Sequence, residues 1–222
     1  MIYVQAGLYA EGATDYDFLI PLLERLLNEI CARVCVRNCE IPTPIGVDAD
    51  EPTSRRSERI GDAVHKYAGT CQLFVVHADA DGDSQRARAE RIEPGFTEAR
   101  RRLREVPACE VDDTYFVACV PVQMIEAWML ADDAYFRGLF GRKAEFELPK
   151  DPEGLRNPKQ ALEQLIARYM RRSPFGLYAD VGINVSFAAL RRLPAFRAFE
   201  CELEIAVTAL ARVPAPMGGR RG

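Results

Sequence analysis

Four short apolar runs, separated by stretches of helical periodicity, restrict the folds open to this chain more than any other feature. Residues 2–10 (IYVQAGLYA), 34–41 (VCVRNCEI), 72–78 (QLFVVHA) and 114–121 (TYFVACVP) read as strands. Residues 15–31 carry apolar positions at helical spacing, residues 54–67 form an Arg-rich helical segment, and residues 84–105 form a long charged one. Pro21 predicts a kink or a later start in the first helix, and Pro94–Gly95 predicts a break in the third. Parallel neighbours need a crossover, so this β-α-β-α-β-α-β order predicts an α/β fold with a mostly parallel sheet covered by helices. A strand order of 2-1-3-4 is expected. After residue 132 the strand signal ends, and helices are expected near 159–171 and 195–212. The chain therefore divides into a core (1–132), a helical extension packed on it (133–213) and a disordered tail (214–222).

The third apolar run ends in HADADGD, which places Asp79, Asp81 and Asp83 within five residues. Like charges that close destabilise a fold unless a cation or solvent separates them. In open parallel sheets ligands bind at the carboxyl ends of strands, near the point where strand order reverses. Glu11 follows the first strand, Asp79 and Asp81 the third, and Glu126 lies in the first turns of the helix after the fourth. These hard oxygen donors point to Mg2+ or Mn2+. Gly12 is expected to let the backbone turn sharply after Glu11. Asp15 reads as a helix cap, with a water-mediated metal contact as the alternative, and Asp83 as the solvated start of the next helix. His77 reads as a packed strand residue. A calcium loop starting at Asp79 is excluded, because Ser84 stands where glycine is needed and a strand precedes it. DADG also fits a phosphatase reading in which Asp79 attacks phosphate.

The formal charge is −4, so no global positive field draws the protein to a polyanion. Phosphate contacts must then be local, and Arg55, Arg56, Arg59 and Lys159 are the candidates. The arginines of 86–104 alternate with Glu90, Glu93, Glu98 and Glu105 and read as a solvated, salt-bridged face. With 48% hydrophobic and 28% charged residues the composition is globular. Neither a signal peptide nor an apolar run near 18 residues is visible, which predicts a soluble, cytoplasmic protein outside the membrane. Seven cysteines without an export signal read as reduced thiols. Cys31, Cys35 and Cys39 are evenly spaced, but with no CxxC pair or histidine partner they read as buried apolar residues.

The stretch LYAEGATDYDFLIPLL resembles the first motif of Toprim domains, Glu-Gly-x-x-Asp followed by a helix. LFVVHADADGD resembles their Asp-x-Asp motif. VPVQMIEAWMLAD, NPKQAL and LRRLPAFRAFECEL are similar to a prokaryotic Toprim-like family of unknown function, allied to the Toprim nucleases of OLD-type and RloB-like systems. The resemblance runs from Glu11 to about Leu203. It implies a Mg2+-dependent nuclease or related phosphodiester-processing protein, with nucleic acid as substrate and an ATPase partner in phage defence. It makes Glu11 the first-strand acid, Asp79 and Asp81 the metal-binding pair, and Glu126 a further acid. Gly82 follows Asp-x-Asp directly, which departs from the Toprim spacing, and no topoisomerase-type tyrosine is recognisable, which favours hydrolysis. The alternatives are a non-catalytic module that binds the ATPase and a metal-dependent phosphatase.

Overall fold

The computed structural model describes residues 2–35, 38–49, 55–106, 114–141, 144–170 and 176–212. The first apolar run is interrupted, giving β1 (Ile2–Tyr3) and β2 (Ala6–Tyr9). Helix α1 (Ala13–Val34) follows, and the chain returns through β3 (Cys39–Glu40) and β4 (Ile45–Gly46). β1 pairs with β3 and β2 with β4, both parallel. Gln5 spans the interruption: its Nε2 donates to the Thr43 carbonyl (3.0 Å), and its backbone N–H donates to Gln72 Oε1 (3.0 Å). The strand expected over 34–41 is thus corrected. Val34 stands one turn beyond Ile30 and continues the helical stripe, and the neighbour of β2 is β4, which lies beyond the expected strand.

Helix α2 (Arg56–Lys66) leads into β5 (Leu73–His77), which is buried along its whole length, as is β2. β6 (Tyr115–Cys119) completes a four-stranded parallel sheet of order β4-β2-β5-β6, the 2-1-3-4 arrangement. Strands covered on both faces read as continuous apolar runs, which is why β5 was visible in the sequence.

The charged segment before β6 is helical across Pro94–Gly95, where a break was expected. It consists of α3 (Ser84–Ala87), a π-helical turn (Arg88–Ile92) and α4 (Glu93–Leu103). Pro94 falls in the first turn of α4, where a missing N–H removes no hydrogen bond, and the wider π turn precedes it. Gly95 is required by packing, because a Cβ there would lie 2.5 Å from Ile60 Cδ1 of α2.

The remaining helices are α5 (Glu126–Met129), α6 (Asp133–Phe140), α7 (Pro158–Tyr169), α8 (Leu177–Asn184), α9 (Phe187–Leu190) and α10 (Pro194–Arg212). Helix α1 runs through Pro21 without interruption and crosses α8 closely: Arg25 donates to the carbonyls of Gly182 and Val185, both at 2.9 Å. Helix α10 covers the edge of β6, where Glu202 accepts the Ala118 N–H (3.1 Å) and pairs through both oxygens with Arg88. An edge strand blunted in this way offers no free ladder to another chain. Trp128 is fully buried between Phe196 and Phe199, with ring centroids at 5.2 and 5.8 Å. Its Nε1 donates to Glu153 (3.0 Å), whose other oxygen accepts the Ala195 N–H at the start of α10 (3.2 Å). No described helix is long and apolar enough to cross a membrane. The expected tail, 214–222, lies outside the described residues.

Candidate active site

The sheet reverses its strand order between β2 and β5, and both strands end at the same edge. Glu11 leaves β2 there, and the loop 78–83 leaves β5. Asp81 (φ 51) and Gly82 (φ 98) both adopt left-handed backbone, which aspartate tolerates and glycine adopts freely. The loop is fastened to the segment after β6: Ala80 N–H donates to the Gln123 carbonyl (3.0 Å) and Gly82 N–H to that of Val122 (2.7 Å). That fastening brings Glu126 toward Asp79. Gly12, by contrast, is extended at φ −141, and an added Cβ would meet only Asp15 Oδ2 at 3.7 Å. The turn after Glu11 therefore does not depend on glycine. Asp15 caps α1 by accepting the Gly12 N–H (2.8 Å), and Asp83 caps α3 by accepting that of Arg86 (2.9 Å).

Beneath this edge lies a buried polar cluster with unpartnered atoms. His77 is fully buried, its Nδ1 3.6 Å from Asp15 Oδ2 and its Nε2 3.3 Å from Asp79 Oδ1. Neither contact has hydrogen-bond geometry, and buried Asp79 Oδ1 has no hydrogen-bond partner. Glu126 is also buried and accepts the Tyr178 hydroxyl at 2.8 Å. Burial pushes the Glu126 carboxyl above its ordinary range and the Asp79 charge adds to this, while Tyr178 and Lys159 oppose it.

A pH dependence follows. A carboxyl raised in the folded state contributes its stability below the unfolded value, about 4.3 for glutamate, and loses it as pH rises through the folded value. With chelator present, Glu126→Gln should therefore gain urea-midpoint stability over the wild type as pH is raised from acid to neutral. A constant difference across pH would contradict this.

The surface of the edge is held by arginines. Glu11 Oε1 pairs with Arg56 (2.9 Å) and Arg91 (2.5 Å). Arg56 also donates to the carbonyls of His77 (2.6 Å) and Arg91 (3.0 Å), which fixes its guanidinium at the edge. Arg91 donates to the Asp79 carbonyl (2.6 Å) and lies 3.8 Å from Asp81 Oδ2. Arg59 has a buried Nε with no hydrogen-bond partner, and its charge reaches Tyr9 alongside that of Arg56. Arg55 is exposed at the N-cap of α2, and Lys159 is exposed in the first turn of α7, within electrostatic reach of Glu126.

One family profile, described as a domain of unknown function (DUF4276), matches residues 10–204. The chain belongs to that family. No curated protein and no solved structure matches it. The DUF4276 match begins just after β2 and ends within α10, and its span takes in Glu11, Asp79, Asp81, Glu126, Arg91 and Tyr178.

The DUF4276 edge offers a divalent cation hard carboxylates, one of them with a buried, unpartnered oxygen, beside the buried carboxyl of Glu126. That donor set fits Mg2+ or Mn2+. It is not a closed cage: among the described residues, the only three His, Cys, Asp or Glu donors within 4.8 Å of one another belong to Cys31, Cys35 and Cys39. Glu11 meets Asp79 and Asp81 through Arg91, and Glu126 meets Asp79 through the fastened loop.

His77 is the packed strand residue that the sequence predicts, whereas the sequence singles out neither Arg91 nor Tyr178. Neighbouring arginines behave as expected, Arg86 pairing with Glu90 and Arg101 with Glu98 and Glu105. Arg91 differs because it lies on the π turn, which departs from the spacing used to assign faces. Tyr178, in the C-terminal half, carries no local signal of its role.

Proposed function

We propose that this DUF4276 protein is a Toprim-like, divalent-metal-dependent phosphodiester hydrolase acting on nucleic acid. The observation that carries this reading is the unpartnered buried oxygen of Asp79 beside buried Glu126, at the reversal point of a parallel sheet. Asp79, Asp81 and Glu126 would hold the cation, and Glu11 would join them by giving up one of its two arginines. When bound, the cation would acidify a water molecule and offset charge on the phosphate. Arg91 and Arg56, oriented by Glu11, hold two guanidiniums at the edge where a phosphate would lie. Arg59, Arg55 and Lys159 would extend the contact along the strand being cut. The left-handed Asp81 presents a carboxylate 79% exposed at the end of a fixed loop, a conformation retained where function requires it.

One observation favours a second reading. The two arginines on Glu11 neutralise it as a structural ion pair would, as expected of a module that binds an ATPase partner without chemistry of its own. Nicking of DNA and RNA separates the two. The hydrolase should cut with Mg2+ or Mn2+ and stop with EDTA, and Asp81→Ala should lose activity on the order of 10²-fold. Inactivity with every metal and both nucleic acids, alone and with an ATPase encoded beside it, would leave the binding module.

A further inference from the structure

We propose that Cys31, Cys35 and Cys39 form a structural site for one thiophilic cation of the zinc type. Cys31 lies in α1, Cys35 is its C-cap, and Cys39 is the first residue of β3. Their Sγ atoms lie within 4.8 Å of one another. Zn–S bonds of about 2.3 Å set tetrahedral thiolates about 3.8 Å apart, so the three sulfurs need to draw in by at most about 1 Å. Helix geometry stacks Cys31 and Cys35 one turn apart, and β3 returns Cys39 beside them, which places three ligands together without a CxxC pair.

The chemistry narrows the ligand. Three soft sulfurs select zinc or a similar closed-shell ion over Mg2+ or Ca2+. A cubane iron–sulfur cluster is wider than a single ion and would hold its thiolates further apart than this. A reactive-thiol role does not fit either. Reactive cysteines sit exposed beside cationic groups, whereas Cys31 is buried and the groups gathered beside it are the other two sulfurs. The position indicates a structural task. Helix α1 starts at the carboxylate edge and its 22 residues extend about 33 Å, so the cysteines stand at the opposite end of the sheet. There a bound ion ties the end of α1 to β3, in a sheet whose paired strands, β1 and β3, are two residues each.

The test uses the full chain, kept reduced, loaded with Zn2+ by dialysis and passed through gel filtration. About one zinc per chain should remain in the wild type and in Cys201→Ser, whose cysteine is exposed on α10. Cys39→Ser and Cys35→Ser, shown folded by circular dichroism, should retain less than about a tenth of that. Zinc should raise the thermal midpoint of the wild type but not of these two variants. Equal zinc in Cys39→Ser and the wild type would overturn the site. So would no retained zinc in the wild type, or an intact mass showing a Cys35–Cys39 disulfide in reductant with no zinc uptake.

Discussion

Replacing Trp128 with alanine is expected to lower the unfolding free energy by about 3–5 kcal/mol, the range for removing a large buried aromatic side chain. Trp128 is fully buried, edge-on to Phe196 and stacked on Phe199, and so joins α5 to α10. The substitution also takes the indole N–H from Glu153, leaving a buried carboxyl with the Ala195 amide as its nearest donor. Burial already raises Glu153 above the ordinary carboxylate range. Trp128→Phe keeps most of the packing and loses the donor, and should cost about 1–3 kcal/mol. Urea denaturation at constant pH measures both. A loss below about 1 kcal/mol for alanine would mean that the aromatic cluster repacks without the indole.

Asp79→Asn is expected to separate activity from stability. As part of the proposed metal site, Asp79 should be needed for cleavage, and its amide should reduce metal-dependent turnover on the order of 10²-fold or more. The same change removes a negative charge from a buried region that also holds Asp15 and Glu126, and asparagine occupies nearly the same volume. In chelator, the thermal midpoint of the variant should therefore equal or exceed that of the wild type, the trade-off expected where function maintains an unfavourable charge arrangement. A lower midpoint with unchanged cleavage would assign Asp79 to holding His77, 3.3 Å away, and remove it from the proposed metal site.

The parts of the fold that were legible in the sequence share one cause. β5 and β6 are continuous apolar runs because helices cover both faces, and their parallel order follows from the crossovers between them. β4 was not legible: two residues beside a proline-containing loop carry no periodicity, and their place is fixed by pairing with Gly7 and Leu8. Position along the chain put Glu11, Asp79, Asp81 and Glu126 on one edge. It did not show that arginines would engage Glu11, because Arg56 and Arg91 lie 45 and 80 residues away from it. The cysteines read as buried apolar residues for want of a CxxC pair or a histidine partner, a pattern that says nothing of how Cys39 returns to Cys31. The extra turn of α1 and the short β3 bring it back.

The π turn at Arg88–Ile92 also makes the edge sensitive to chain length in a way that composition does not express. A π turn is an α-helix lengthened by one residue, and each residue of an α-helix rotates its successors by about 100°. Shortening this turn by one residue would straighten it into ordinary helix while rotating one of its flanks. Arg91 would then leave Glu11 and the Asp79 carbonyl, or Arg88 would leave Glu202 on α10, since both arginines keep their present partners only with the extra residue in place. Deleting Ala89 would retain every charged side chain named above and still misalign the two ends of the segment. The added residue thus works as a phase adjustment, letting one helical segment face the sheet edge and α10 at once.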